Sequence, residues 1–168
     1  CWPKDDIVSD IIKLPCQLVH KPRRLPCGNV PDQSEIRLTF TLAENILAQH
    51  RTRPQKLVYL IAKGMFYKHL KVDIQGQHFS SYFLKTAMMW MLEQTEPDEW
   101  NLHKERPWVM VRQLFEKLCG YLDQNRLPYY FIPSVNILSE YSAEVLTSSR
   151  SRLCSLLENF EDLLPSQT

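Results

Sequence analysis

The residues with most chemistry to offer sit in two short runs. The first is Arg37-Leu38-Thr39-Phe40-Thr41, which alternates polar and apolar side chains. In a strand, positions i, i+2 and i+4 share a face, about 7 Å apart in succession, so Arg37, Thr39 and Thr41 fall on one side. A guanidinium beside two hydroxyls suits a planar base edge or a phosphate. An ordinary solvated sheet face carries the same pattern. The second run is Phe79-Ser80-Ser81-Tyr82. At a helix start, free amides and serine hydroxyls suit an anion, and Tyr82 suits stacking on a base. A plain N-cap followed by a core tyrosine reads identically.

Other chemistry finds little support. There is no Gly-x-Ser-x-Gly, no His-Glu-x-x-His and no glycine-rich phosphate loop. The five histidines are scattered, none at a ligand spacing from cysteine or another histidine. Asp5 and Asp6 are adjacent and point different ways, as at a solvated helix start. The five cysteines, at 1, 16, 27, 119 and 154, are odd in number and form no Cys-x-x-Cys pair. That excludes a disulfide framework or zinc ribbon and predicts reduced thiols in a cytosolic setting. Cys119 and Cys154 lie in apolar helical patterns and are expected to be small buried hydrophobes.

The elements that must position these residues are mostly helices. Hydrophobic residues make up 44% and charged residues 23% of the 168, a globular balance. A net charge of +1 argues against a nucleic-acid binder that works by bulk electrostatics, although His20-Lys21-Pro22-Arg23-Arg24 is locally basic. No apolar run approaches the ~18 residues that span a bilayer, and there is no signal peptide. The chain opens on Cys-Trp-Pro and reads as a fragment of a longer protein.

Ile7, Val8, Ile11 and Ile12 recur at helical spacing up to Pro15. Cys16 to His20 reads as a strand, and Pro22, Pro26, Gly28 and Pro31 mark a loop. The alternating run Ile36 to Thr41 is a second strand with Ile36, Leu38 and Phe40 inward. Helices follow from about Leu42 to Gln49 and from Pro54 to Leu70, then a turn at Gly76. Ser80 caps a helix apolar nearly all round, hence central, which Glu96-Pro97-Asp98 breaks. Pro107 opens the next helix. Leu127 to Pro133 must be extended, and a last helix runs from about Ser142 to Leu164. The expectation is a mainly α protein, a helical bundle preceded by a short two-strand segment.

Five blocks, in this order, resemble the male-abnormal-twenty-one (Mab-21) family, which includes cyclic GMP–AMP synthase (cGAS), cGAS-like receptors and inositol trisphosphate receptor-interacting proteins. They are Cys16 to Lys21, Ile36 to Glu44, Phe79 to Thr86, Trp90 to Trp100 and Pro128 to Asn136. The resemblance implies a two-lobed nucleotidyltransferase fold. Residues 1–41 would end the first lobe and 42–168 would form the helical C-terminal lobe. The Gly-Ser element and three metal-binding acids would lie in the missing N-terminal lobe, so this chain by itself would hold no catalytic group and no cofactor. Mg or Mn with ATP or GTP would belong to a full-length enzyme.

By resemblance, Lys21 lies near the bases and Arg37 reads a base. Thr39 and Thr41 line the pocket where serines are usual, and Glu44 matches a glutamate of the following helix. Ser81 contacts phosphate, Tyr82 stacks on a base, and Lys63 stands nearest to a lysine of the preceding helix. Phe83 replaces a common histidine and Ile36 a usual tryptophan. Arg51-Thr52-Arg53-Pro54 holds no cysteine where cGAS inserts its zinc loop, which argues against DNA sensing of that kind.

Two functions follow. In the first, the chain is a non-catalytic regulatory or interaction module with a receptor or channel as partner, in a parent that resides at membranes. In the second, it is the nucleotide-binding acceptor half of a cGAS-like nucleotidyltransferase that senses double-stranded RNA or another ligand and makes a cyclic dinucleotide. A degenerate fragment without activity is the third reading.

Overall fold

The computed structural model describes residues 2–22, 34–71, 73–74 and 77–164. It is mainly helical, and it divides into two compact units, Pro3–Arg51 and Thr52–Thr168 with Cys1–Trp2.

In the first unit, α1 (Asp5–Ile11) carries Asp5 and Asp6 in its first turn, where carboxylates complement the helix dipole, and it buries Ile7. Strands β1 (Gln17–Pro22) and β2 (Ser34–Thr39) pair antiparallel, with Gln17 opposite Thr39 and Pro22 opposite Ser34. Helix α2 (Thr41–Gln49) buries Ala43, Glu44 and Leu47.

The alternation was expected to hold a strand as far as Thr41, and it does not. Phe40 turns the backbone to φ −117°, ψ 38°, and Thr41 becomes the first residue of α2. The four-residue step from Ala43 to Leu47 sets a helical period that captures Thr41. The shared face of Arg37, Thr39 and Thr41 is therefore broken at its third member. Phe40 and Leu38 are half-buried.

The second unit holds one contiguous core. Helix α3 (Arg53–Met65) starts with Pro54 in its first turn, and the Thr52 amide donates to Gln55 Oε1 at 2.8 Å. It continues as a π-helical turn, Phe66–Leu70, which buries both end residues. Strands β3 (Asp73–Ile74) and β4 (Gln77–His78) form a minimal ladder. The turn expected at Gly76 lies outside the described residues. Helix α4 (Ser81–Gln94) buries side chains on nearly every side, among them Phe83, Leu84, Met88 and Leu92. It is central, as its composition predicts.

Pro97 opens a further short helix, α5 (Pro97–Leu102), rather than only ending α4, because proline suits a first helical turn. Helix α6 (Pro107–Asp123) buries Met110, Val111, Leu114, Phe115, Leu118 and Leu122 and packs on α3, α4 and α7. Each fully buried Leu or Phe contributes roughly 1.5–3 kcal/mol. The proline-bracketed run folds back on itself as β5 (Pro128–Tyr129) and β6 (Ile132–Asn136). Asn136 holds this hairpin to the chain on either side. Its Oδ1 accepts from the amides of Leu127 and Leu138 at 3.0 and 3.1 Å, and its Nδ2 donates to the Asn125 carbonyl at 3.0 Å.

Helix α7 (Ala143–Glu158) is capped by Ser142, whose Oγ accepts from the Val145 amide. It ends six residues before Leu164. The chain there turns to bury Phe160 and closes with a 3-10 turn, Glu161–Leu163. Cys119 on α6 and Cys154 on α7 are half-buried rather than buried. No helix among the described residues is long and apolar enough to cross a membrane.

Candidate functional site

The start of α4 is fixed by its own residues. Ser80 is extended (φ −82°, ψ 134°), and its Oγ accepts from the Tyr82 amide at 3.2 Å. The Phe83 amide donates to the Ser80 carbonyl at 3.0 Å, so Ser80 caps the helix end where partial positive charge collects. Phe79 and Phe83 face the core. Phe79 stacks on Phe66 with ring centroids 5.3 Å apart and meets Phe83 at 5.2 Å. With those two residues turned inward, Ser81 and Tyr82 occupy the half-buried side of the first turn.

Three residues that sequence reasoning missed complete this corner. The hydroxyls of Tyr67 and Ser81 are 3.1 Å apart. Lys85, one turn beyond Tyr82, holds its ammonium 6.0 Å from the centre of the Tyr82 ring. Tyr129 brings its ring within 6.3 Å of Tyr82 and meets Phe131 edge-on at 6.0 Å. A local signal existed for Lys85, which lies at i+3 from Tyr82. None existed for Tyr67 or Tyr129, whose approach depends on tertiary packing.

The β5–β6 hairpin is seated against α4 by Trp90. Its indole N–H donates to the Pro128 carbonyl at 2.9 Å, and its ring meets Tyr130 edge-on at 5.1 Å. Burial, then a hydrogen bond with Glu93, pushes the Tyr130 phenol well above its ordinary range, so it stays protonated. Tyr130 is thus part of the support, Tyr129 is buried behind Tyr82, and Tyr82 and Phe131 are the half-buried rings of this corner.

This corner offers hydroxyls, the positive end of a helix dipole, an ammonium and aromatic rings. It suits an anion joined to a flat ring, and it offers no cluster of carboxylates for a divalent cation. Among the described residues, no three His, Cys, Asp or Glu side chains come together as a metal site.

Lys63 is half-buried in the last turn of α3, four residues before Tyr67. In the first unit, Glu44 is buried on α2 and Thr41 is exposed at its start. The Thr39 hydroxyl, expected on an outward face, is shielded from solvent and meets no hydrogen-bond partner among the described residues. Lys21 pairs with Glu35 and Arg37 with Val19 in the β1–β2 register. The side chains of Lys21 and Arg37 lie outside the described residues.

A family model for the Mab-21 protein HhH/H2TH-like domain matches residues 56–155, more than half of the chain. A cyclic GMP-AMP synthase-like receptor of Aethina tumida is 25% identical over 125 residues, which are 74% of this chain and 30% of the relative. A protein mab-21-like of Aedes aegypti is 27% identical over 161 residues, 92% of this chain and 42% of the relative. Its counterpart from Anopheles gambiae is 28% identical over 160 residues, with 91% and 42% covered. The chain spans less than half the length of these relatives. A helical core, a Ser-capped α4 and the match over residues 56–155 lead to one assignment: this chain belongs to the Mab-21 family, related to the cGAS-like receptors, and carries its C-terminal helical domain.

Proposed function

We propose that this chain is a non-catalytic regulatory module of a Mab-21-type protein, and that it recognises a nucleotide at the start of α4. The observation that carries this reading is the surround of Tyr82. Its ring has Tyr129 on one side and the Lys85 ammonium near its face, while Ser81 and Tyr67 place two hydroxyls at the same helix end. The purine of a nucleotide stacks on the Tyr82 ring, and the phosphates meet the hydroxyls, the positive end of the α4 dipole and the ammonium. Binding of this kind orients a ligand without breaking a bond in it.

Stacking on one aromatic ring is worth about 1–3 kcal/mol. ATP or GTP titrated into the protein should therefore bind about fivefold to about 150-fold more weakly after Tyr82→Ala. Equal affinity in the two proteins would remove the reading.

A second reading draws on the relatives named cyclic GMP-AMP synthase-like receptor. In it the same corner is the acceptor side of a nucleotidyltransferase whose metal-binding acids lie outside this chain. Incubating the full-length protein with ATP, GTP and Mg²⁺, with and without double-stranded RNA, separates the two. A cyclic dinucleotide product favours the enzyme, and nucleotide binding without product favours the module.

A further inference from the structure

The seam between α6 and α7 carries three side-chain ties in one antiparallel register. Arg112 on α6 meets Glu161, just beyond α7, at 3.5 Å. Seven residues on from Arg112 and seven back from Glu161, Cys119 and Cys154 bring their sulfurs to 3.6 Å. Four further along α6 and four further back on α7, Asp123 and Arg150 form an ion pair. The two thiols are therefore held opposite each other by the packing of both helices. Leu118 and Leu122 on α6, and Leu153 and Leu156 on α7, are buried beside them and fix that packing.

Both cysteines lie at the half-buried margin of the core, within reach of a small solute. Their sulfurs are in van der Waals contact. A disulfide bond needs them about 1.5 Å closer, at ~2.05 Å, which side-chain rotation and a small shift of α7 can supply.

We propose that Cys119 and Cys154 are an oxidative modification site, converted by a peroxide into an intramolecular disulfide that staples α7 to α6. In the first step a thiolate sulfur attacks one oxygen of hydrogen peroxide. The O–O bond breaks, hydroxide leaves and takes up a proton, and a sulfenic acid remains. The second sulfur, as its thiolate, then attacks that sulfenic sulfur; the S–O bond breaks, and the oxygen leaves with a proton as water. In sum two thiols and one peroxide become one disulfide and two waters, with two electrons passing from sulfur to oxygen. A dithiol reductant reverses the link by exchange.

Burial, reinforced by the hydrogen bond with Cys154, pushes the Cys119 thiol up to about 11. Cys119 is thus protonated at neutral pH, and the link forms faster as the pH rises, because the thiolate is the reacting species.

The test treats the protein with hydrogen peroxide at about pH 8, blocks the remaining thiols by alkylation and maps tryptic peptides. The peptide Leu118–Arg126 should appear joined to the one that begins at Leu153, with a mass two hydrogens below the sum of the separate thiol peptides. A dithiol should restore the two, and the melting temperature should rise on oxidation and fall back on reduction. Cys119→Ala should abolish the cross-linked species, while Cys16→Ser should leave it unchanged. The proposal is overturned if Cys119 and Cys154 are recovered separately, alkylated or as sulfinic acids, under conditions that oxidise the exposed Cys16. It is equally overturned if either of them is found joined mainly to another cysteine.

Discussion

The Trp90 indole N–H donates to the Pro128 carbonyl at 2.9 Å, and this single bond joins the middle of α4 to the first residue of the β5–β6 hairpin. Tyr82 lies eight residues before Trp90 on the same helix. Tyr129 follows Pro128 directly. One helix and one hydrogen bond thus set the distance between the two rings of the candidate site. That geometry belongs to the support, and it is separable from the surface that would touch a ligand.

Replacing Trp90 by Phe tests the support. Phenylalanine keeps an aromatic contact with Tyr130 and loses the donor, leaving the Pro128 carbonyl without its partner. A loss of about 1 kcal/mol in unfolding free energy is expected, read from the denaturant midpoint at unchanged slope. If Tyr129 backs Tyr82 for the nucleotide, affinity for ATP or GTP should fall as well. A fall in stability alone would confine Trp90 to the fold.

Ser81→Ala tests the polar half of the site. Tyr67 is exposed, so water replaces the serine hydroxyl and stability should change by less than about 0.5 kcal/mol. Binding should respond differently for different ligands. A triphosphate should lose affinity by several fold, and the corresponding nucleoside should lose almost none, because only the phosphates would meet Ser81. Calorimetric titration of both ligands checks this. Equal losses for the two would remove the serine from phosphate recognition.

Much of this framework is legible in the sequence, and the part that is not has a common physical cause. Ser80 as a cap, Pro54 and Pro107 in first turns and the apolar stripe of α6 are local signals, decided within one or two helical turns. Thr41 failed as a strand residue because two local periods overlapped there, and the helical one won. Tyr67, Tyr129 and the Cys119–Cys154 contact were invisible for a different reason. Each joins residues far apart in the chain, 14 for Tyr67 and Ser81 and 35 for the two cysteines, by a register that only helix packing defines. A strict helical period says which face of α6 is buried; it does not say which residue of α7 lies opposite Cys119.

Thr86 offers a test inside the core. It is fully buried on α4, and its hydroxyl meets no hydrogen-bond partner among the described residues. A buried hydroxyl without a partner forfeits its hydration, whereas valine has the same shape and nothing to desolvate. Thr86→Val should therefore be neutral or stabilising by up to about 1 kcal/mol, in contrast to the loss expected of most core substitutions. Chemical denaturation decides it, and a clear loss of stability would mean that the hydroxyl has found a partner in solution.

The alkaline limb of stability should report on Tyr130. Burial, followed by the hydrogen bond with Glu93, raises its phenol above the ordinary value of 10.0, and burial also raises Tyr121. A raised value means that the folded state keeps a proton the unfolded chain gives up. The stabilising contribution is therefore complete below the unfolded value of about 10 and is lost progressively as the pH climbs from there toward the higher folded value. Unfolding free energy should fall with pH above that point and fall less steeply in Tyr130→Phe, where one of the two phenols no longer titrates. Tyr121→Phe should flatten the same limb independently, since Tyr121 and Tyr130 belong to different elements. Denaturant titrations across the alkaline range, compared at matched ionic strength, provide the measurement. A slope identical in wild type and Tyr130→Phe would show that the phenol titrates alike in the folded and unfolded chains, and would dissolve the assignment of Tyr130 to the support that seats the hairpin on Trp90.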